Sequence, residues 1–196
     1  MALPTTEILV FPTSEAYQKD PSIVAAPLDI VLKAPGVQDA FYGLQVESPD
    51  TGYIFLNWDS LKHHHDFIAA PSYPSLIESL TPSLGGAPQM YHVQFSGVLN
   101  ALKEPITEVF TFKLNAPEQR EKVVGLLKQA EEVSKGMIVF GQTVEDENLY
   151  YMVCGWPSIE AHQERSAQAD TQAGRDFLVT AGEIGIKHTK LTLYTK

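Results

Sequence analysis

The chain has 196 residues, of which 44% are hydrophobic and 19% charged, and a formal net charge of −10. This balance fits a globular protein with a real core, as one large domain or two small ones. It excludes a phosphate-backbone partner, which needs clustered positive charge where this chain scatters its Lys and Arg, and no apolar run nears the roughly 20 residues of a membrane span.

In chain order, residues 6–14 (TEILVFPTS) read as a strand. Asp20-Pro21 opens a helix through Ile23, Leu28, Ile30, Val31 and Leu32, with Pro27 limiting or kinking it, and Ala34-Pro35-Gly36 ends it. Strands at 41–47 and 53–58 around a polar turn at 48–52 form a hairpin signature. Ser60, a favoured N-cap type, starts a second helix that Pro71 and Pro74 interrupt. A strand at 89–95 closes the set, and residues 100–105 are the junction. The order then returns. A strand at 106–114 leads to Asn115-Ala-Pro117-Glu118, which opens a helix with Val123, Leu126, Leu127, Ala130 and Val133 on one stripe. Strands at 138–145 and 149–156, a helix from Ser158 loosened around Gly174, and a strand at 187–194 complete it.

Residues 43–64 lie without a gap over residues 141–162. Gly43/Gly141, Val46/Val144, Glu47/Glu145, Tyr53/Tyr151, Trp58/Trp156, Ser60/Ser158 and His64/His162 are identical. One β-α-β-β-α-β module, the ferredoxin-like plan, is thus written twice, with domains expected at 1–102 and 103–196. In residues 53–58 both alternating sets are largely apolar, where a strand with one wet face would alternate. Helices can cover one face and a second sheet the other. The fold class predicted is α+β, two ferredoxin-like repeats forming an intramolecular sheet-on-sheet barrel.

His64 and His162 take equivalent places one turn into the second helix of each repeat. Leu61, His64, His65 and Ile68 share a helical face, so His64 should point inward. It reads either as a base or donor in a pocket between helix and sheet, or as a histidine tying helix to strand, which its presence in both copies favours. The run His63-His64-His65 makes no metal site, because consecutive helical residues diverge and no ligand stands four places on. Trp58 and Trp156 are pocket-lining or anchoring aromatics, and Cys154 reads as core. The first repeat alone adds Asn57, His63, His65, Tyr73 and His92, where the second has Gly155, Ala161, Gln163, an unaligned segment and Lys190. That contrast predicts a single active site in the N-terminal repeat. His92, on a strand face with Gln94, belongs to it or faces solvent.

Trp58-Asp-Ser60-x-x-x-His64 with Phe67, Trp156-Pro-Ser158-x-x-x-His162, and the strand Met90-Tyr-His92-Val-Gln-Phe95 resemble the dimeric α/β-barrel superfamily. The likeness is in particular to antibiotic-biosynthesis-monooxygenase-like proteins fused in tandem, and it spans nearly the whole chain. It implies an enzyme with no cofactor and no metal that oxygenates an aromatic or enolic, polyketide-like metabolite. His64, Tyr73 and His65 would be catalytic, and Asn57, Trp58, His92 and Phe67 would bind the substrate. The alternatives are a non-redox cyclase, isomerase or lyase using the same His and Tyr as acid and base, and a non-catalytic small-molecule-binding or stress protein. A weaker likeness to the plant cyclase branch puts Tyr73 where that branch carries an acid/base histidine, and a phenol of pKa about 10 is the poorer base. The expected partners are a hydrophobic small molecule and a second copy of the chain, with no nucleic acid and no membrane. MALPTTEILV lacks the basic-then-apolar pattern of a secretory leader, and the lone cysteine suits a reduced compartment, so a cytoplasmic setting is expected.

Overall fold

The computed structural model of the chain describes residues 3–195. They divide into two compact units: one runs to Gln94 and regains the chain from Lys190, and the other spans Phe95 to Thr189. The first holds β1 (Thr5–Pro12), α1 (Glu15–Lys19), α2 (Ala25–Val31), β2 (Val37–Gln45), β3 (Thr51–Trp58), α3 (Leu61–Ile68), α4 (Tyr73–Leu80) and β4 (Gln89–Phe95). The second holds β5 (Ile106–Leu114), α5 (Arg120–Val133), β6 (Ile138–Thr143), β7 (Leu149–Trp156), α6 (Ile159–Ser166), α7 (Ala169–Ala181) and most of β8 (Gly182–Tyr194).

β1 lies antiparallel between β3 and β4, and β2 pairs with β3. β5 lies likewise between β7 and β8, with β6 beside β7. The eight strands are hydrogen-bonded in the order β1-β3-β2-β8-β5-β7-β6-β4, closed on itself. The chain is therefore α+β, two ferredoxin-like repeats with an antiparallel eight-stranded barrel. Among the described residues no helix is long and apolar enough to cross a membrane.

Local chemistry explains most boundaries. The Asp20 carboxylate accepts from the Ser22 N–H, and Pro21 opens a 3-10 turn that runs into α2. Pro27 falls in the first turn of α2, where its missing N–H costs nothing. Pro74 likewise sits in the first turn of α4, after the break from α3. In the second unit the helix breaks before α7, at an extended Gln168, and not at Gly174. Gly174 is helical, and a Cβ there would meet Leu126 at an ordinary 3.6 Å; glycine lowers helix propensity by about 1 kcal/mol without ending a helix. β8 begins earlier than periodicity suggests, because Gly182 marks a close approach rather than a break. A Cβ on Gly182 would lie 2.0 Å from the Lys113 carbonyl oxygen.

The identical Gly and Tyr of the repeat face each other in register, Gly43 with Tyr53 and Gly141 with Tyr151. β3 is buried at every residue from Gly52 to Trp58, as a strand covered on both faces should be. On its helix-facing side Leu9, Phe11, Ile54, Leu56 and Trp58 pack with Val24, Leu28, Val31 and Phe67. In the second unit Phe110, Phe112 and Tyr150 pack with Val123, Leu127 and Leu178.

Candidate active site

Alternation along a strand decides which side chains can meet. On β1, Glu7 points to the helix-facing side with Leu9 and Phe11; on β3, Trp58 does so with Ile54 and Leu56. Glu7 also stands opposite His92 of β4 in register. α3 starts from an extended Ser60 and turns His64 inward. These four residues converge. Trp58 Nε1–H donates to Glu7 Oε2 at 3.2 Å, and His64 Nε2 lies 3.2 Å from the same oxygen. His64 Nδ1 lies 2.7 Å from His92 Nε2, and the His64 ring stacks on Trp58 with centroids 5.0 Å apart. The site is dry: Glu7 is 4% exposed, His64 2% and Trp58 0%.

Burial pushes the Glu7 carboxyl up to about 7, although the Trp58 hydrogen bond pulls the other way. Burial, then the neighbouring His92 and His65, bring His64 down to about 4. Both shifts express one fact, that a dry site disfavours charge. His64 is therefore neutral at neutral pH. With Glu7 ionised, His64 donates from Nε2 and accepts at Nδ1 from His92. With Glu7 protonated, both bonds of the row reverse, so the same geometry serves two proton arrangements. Glu7 and His92 address opposite nitrogens of His64 and do not converge on a point. Among the described residues no group of three or more His, Cys, Asp or Glu is placed to hold a metal ion.

The sequence-predicted residues separate into three places. His64, Trp58, His92 and Phe67 come together, with Phe67 5.8 Å from Trp58 between ring centroids. His92 is buried, not solvent-facing. His65 and Tyr73 lie at the edge. His65 is exposed with its ring edge-on to His92 at 6.2 Å, and half-buried Tyr73 is edge-on to Phe67 at 5.7 Å. Burial, then the Glu7 charge, push the Tyr73 phenol up, which makes it a hydrogen-bond donor and not a base. Asn57 is on the other face of β3, where it accepts from Thr6 Oγ1 at 2.8 Å and donates to Asp39. His63 is bonded to the Ser60 hydroxyl at 3.0 Å.

The contrast between repeats needs correcting. His92 corresponds to His188, which faces Glu108 across β5 and β8 as His92 faces Glu7, and not to Lys190. Trp156 Nε1–H donates to Glu108 Oε2 at 2.8 Å, His162 Nε2 lies 3.4 Å from that oxygen, and His162 Nδ1 lies 2.8 Å from His188 Nε2. The Glu–Trp–His–His core is thus present in both units. The second is more open, with the His162 side chain 12% exposed against 2% for His64, and Ser166 Oγ also lies 2.8 Å from His162 Nε2. Cys154, opposite Glu108 in register, is buried with its thiol pushed up by burial and by Glu108.

Glu7 and Glu108 escaped the sequence reading. Their signal is the pair Thr6-Glu7 and Thr107-Glu108, a charge inside an apolar strand at the same place in both repeats.

No protein-family model matches the sequence, and no curated protein matches it either. Solved structures do. A proposed monooxygenase from Fusobacterium nucleatum is 12% identical, with a TM-score of 0.73 over 99% of this chain and 94% of that one. One from Lactobacillus acidophilus is 12% identical, with a TM-score of 0.68 over 98% and 96%. An anthrone oxidase-like protein is 11% identical, with a TM-score of 0.74 over 98% and 92%. At such identities the likeness is one of fold, and it spans both repeats.

Proposed function

We propose that this chain, which has the tandem dimeric α/β-barrel fold of antibiotic-biosynthesis-monooxygenase-like proteins, is a small-molecule oxygenase needing no added cofactor. Its substrate would be an aromatic or enolic metabolite held at the N-terminal unit. The observation that carries this reading is the buried row Glu7–His64–His92. Burying a carboxylate and two imidazoles costs free energy that an apolar trio would not, and such perturbed groups gather at working sites. A neutral imidazole in a dry site is suited to take a phenolic or enolic proton. His64 has both ring nitrogens engaged, so the exposed His65 is the histidine at the edge of the row that addresses a substrate. Tyr73 donates to the oxyanion that develops, while Trp58 and Phe67 supply an apolar wall.

The chemistry balances with dioxygen as co-reactant. Loss of a proton from an activated CH2 leaves a carbanion, whose electron pair forms the C–O bond and reduces O2 to a peroxide anion, and this takes up the first proton as a hydroperoxide. Loss of the second C–H proton breaks the O–O bond, and the departing hydroxide takes up a proton as water. The sum is CH2 + O2 → C=O + H2O. The names of the neighbours, two proposed monooxygenases and an anthrone oxidase-like protein, support the oxygen half. A non-redox cyclase, isomerase or lyase would use the proton half alone, and the same row would serve it. Oxygen uptake with an anthrone, without added cofactor, tests the choice. One O2 consumed per anthrone, with no turnover under argon, supports the oxygenase. Turnover under argon transfers the site to the non-redox reading, and no turnover of anthrones or hydroquinones in either gas leaves a binding protein.

A further inference from the structure

We infer that Ile68 of α3 and Ile77 of α4 are specificity-determining residues of this site, gripping the ring of a fused, multi-ring ligand that lies farthest from its reacting edge. The inference rests on the oxygenase reading only for an aromatic ligand at the N-terminal unit.

Neither isoleucine belongs to the core. α3 is fixed there by buried Phe67 and α4 by Leu76 and Leu80, while Ile68 is 39% exposed and Ile77 44%. Single exposed apolar side chains are ordinary; these two are set apart by what they adjoin. Residues three and four apart on a helix are neighbours on one face, so Ile68 lies one turn beyond His65 and Ile77 one turn beyond Tyr73. Among the described residues, neither the Tyr73 hydroxyl nor the His65 ring has a hydrogen-bond partner. Both rings nevertheless pack at the edge of the row, Tyr73 on Phe67 and His65 on His92.

The second unit supplies the comparison. α3 (Leu61–Ile68) and α6 (Ile159–Ser166) each hold eight residues and follow the matched Ser60 and Ser158, so their positions correspond one to one. Where α3 has His65, Phe67 and Ile68, α6 has Gln163, Arg165 and Ser166. Arg165 pairs with Asp170, and Ser166 Oγ lies 2.8 Å from His162 Nε2, so both are engaged within their own unit. The helix thus forms with a polar residue in the place of Ile68, and the exposed isoleucine answers to something other than the fold.

Two polar groups open to hydrogen bonding, beside two exposed apolar side chains, suit a ligand with one oxygenated edge and a flat apolar body. His65 and Tyr73 take the oxygenated edge, and Ile68 and Ile77 cover the remote ring. A one-ring ligand reaches the first pair only, so the isoleucines favour three rings over one.

Quenching of tryptophan fluorescence in the full chain measures binding without turnover, with 1,8-dihydroxyanthraquinone as the three-ring probe and resorcinol as the one-ring probe. Covering apolar surface stabilises in proportion to its area, so Ile68→Ser, which copies the second unit, and Ile77→Ser should each raise the Kd of the anthraquinone at least about fivefold. The Kd of resorcinol should change less than about twofold in either variant. Ile68→Leu should bind the anthraquinone as the wild type does, and so should Val179→Ser, at an exposed apolar side chain of the second unit. Both isoleucines are exposed, so folding is not at stake. An unchanged anthraquinone Kd in either serine variant of the isoleucines, an equal loss for both probes, a loss in Ile68→Leu or Val179→Ser, or no binding of the anthraquinone to the wild type overturns the inference. Selective binding without anthrone turnover would sink the oxygenase reading and leave the grip standing; anthrone turnover with a wild-type KM in Ile68→Ser and Ile77→Ser would do the reverse.

Discussion

Replacing Glu7 with Gln separates the cost of the buried charge from the packing around it. The carboxyl ionises near pH 7 in the fold against an ordinary 4.5, so ionising it in place costs about 3 kcal/mol more than in water. A raised carboxyl contributes stability that is complete below pH 4.5 and lost as pH rises to about 7. His64, held near 4 against an ordinary 6.5, acts in the opposite sense. Its contribution is present above pH 6.5 and lost as pH falls through 4. The two slopes oppose each other between these values, so the alkaline weakening belongs to Glu7. The amide of Glu7→Gln imitates the protonated acid, since its oxygen can accept from both Trp58 Nε1 and His64 Nε2. Thermal melts followed by circular dichroism should give similar Tm values at pH 5. At pH 8.5 the variant should melt about 6–12 °C higher, the shift that about 3 kcal/mol produces in a chain of this length. A variant less stable than wild type at pH 8.5 would refute the reasoning, because His64 and Trp58 would then more than offset the desolvation of ionised Glu7.

The pH–rate profile follows from the same row: ionised Glu7 accepts from His64 Nε2–H and fixes the tautomer of the row, so kcat/KM for oxygen uptake should rise with pH through about 7. In Glu7→Gln the profile should be flat and at least about a hundredfold lower. Trp58→Phe removes a donor from a buried carboxylate together with part of a fully buried ring, and should cost about 2–3 kcal/mol in urea denaturation. Trp156→Phe, at a half-buried ring, should cost about 1 kcal/mol, and equal losses would deny the difference in burial. Gly182→Ala drives a methyl into the Lys113 carbonyl and should destabilise by at least about 2 kcal/mol, where a neutral result would mean that β8 shifts freely against β5.

The scaffold was legible because periodicity and turn chemistry act locally. The hairpin of β6 and β7, the strand β4 and the apolar run of β3 all follow from residues within a few places of one another. The site was less legible, for reasons that individual residues show. Asn57 and Trp58 are neighbours in sequence, yet adjacent strand residues face opposite ways, and they belong to different sides of the sheet. The gapless match ends at His64 and His162. Beyond it the first repeat places a 3-10 turn (Thr81–Ser83) and a loop between α4 and β4, where α7 runs directly into β8, so the offset of 98 between Trp58 and Trp156 falls to 96 between His92 and His188. That slip hid the second histidine pair. Glu7 stayed hidden because a charge near the start of a strand reads as a solvated end until the helix laid over it is known.

What distinguishes the two units is therefore the surroundings of a shared row more than its members. In the first, Phe67 packs on Trp58, and Tyr73 packs in turn on Phe67. In the second, the place of Phe67 is taken by Arg165, which pairs outward with Asp170, and Trp156 is left half-buried. Electrostatic interactions strengthen as water is excluded, so the same bonding pattern is drier where Phe67 packs on Trp58 than where an arginine turns outward to Asp170. An internal duplication can preserve a polar constellation for its structural value and turn one copy toward chemistry by changing what covers it. On the proposed reading, the residues that carry that change are Phe67, which packs on Trp58, and His65, the exposed histidine edge-on to His92.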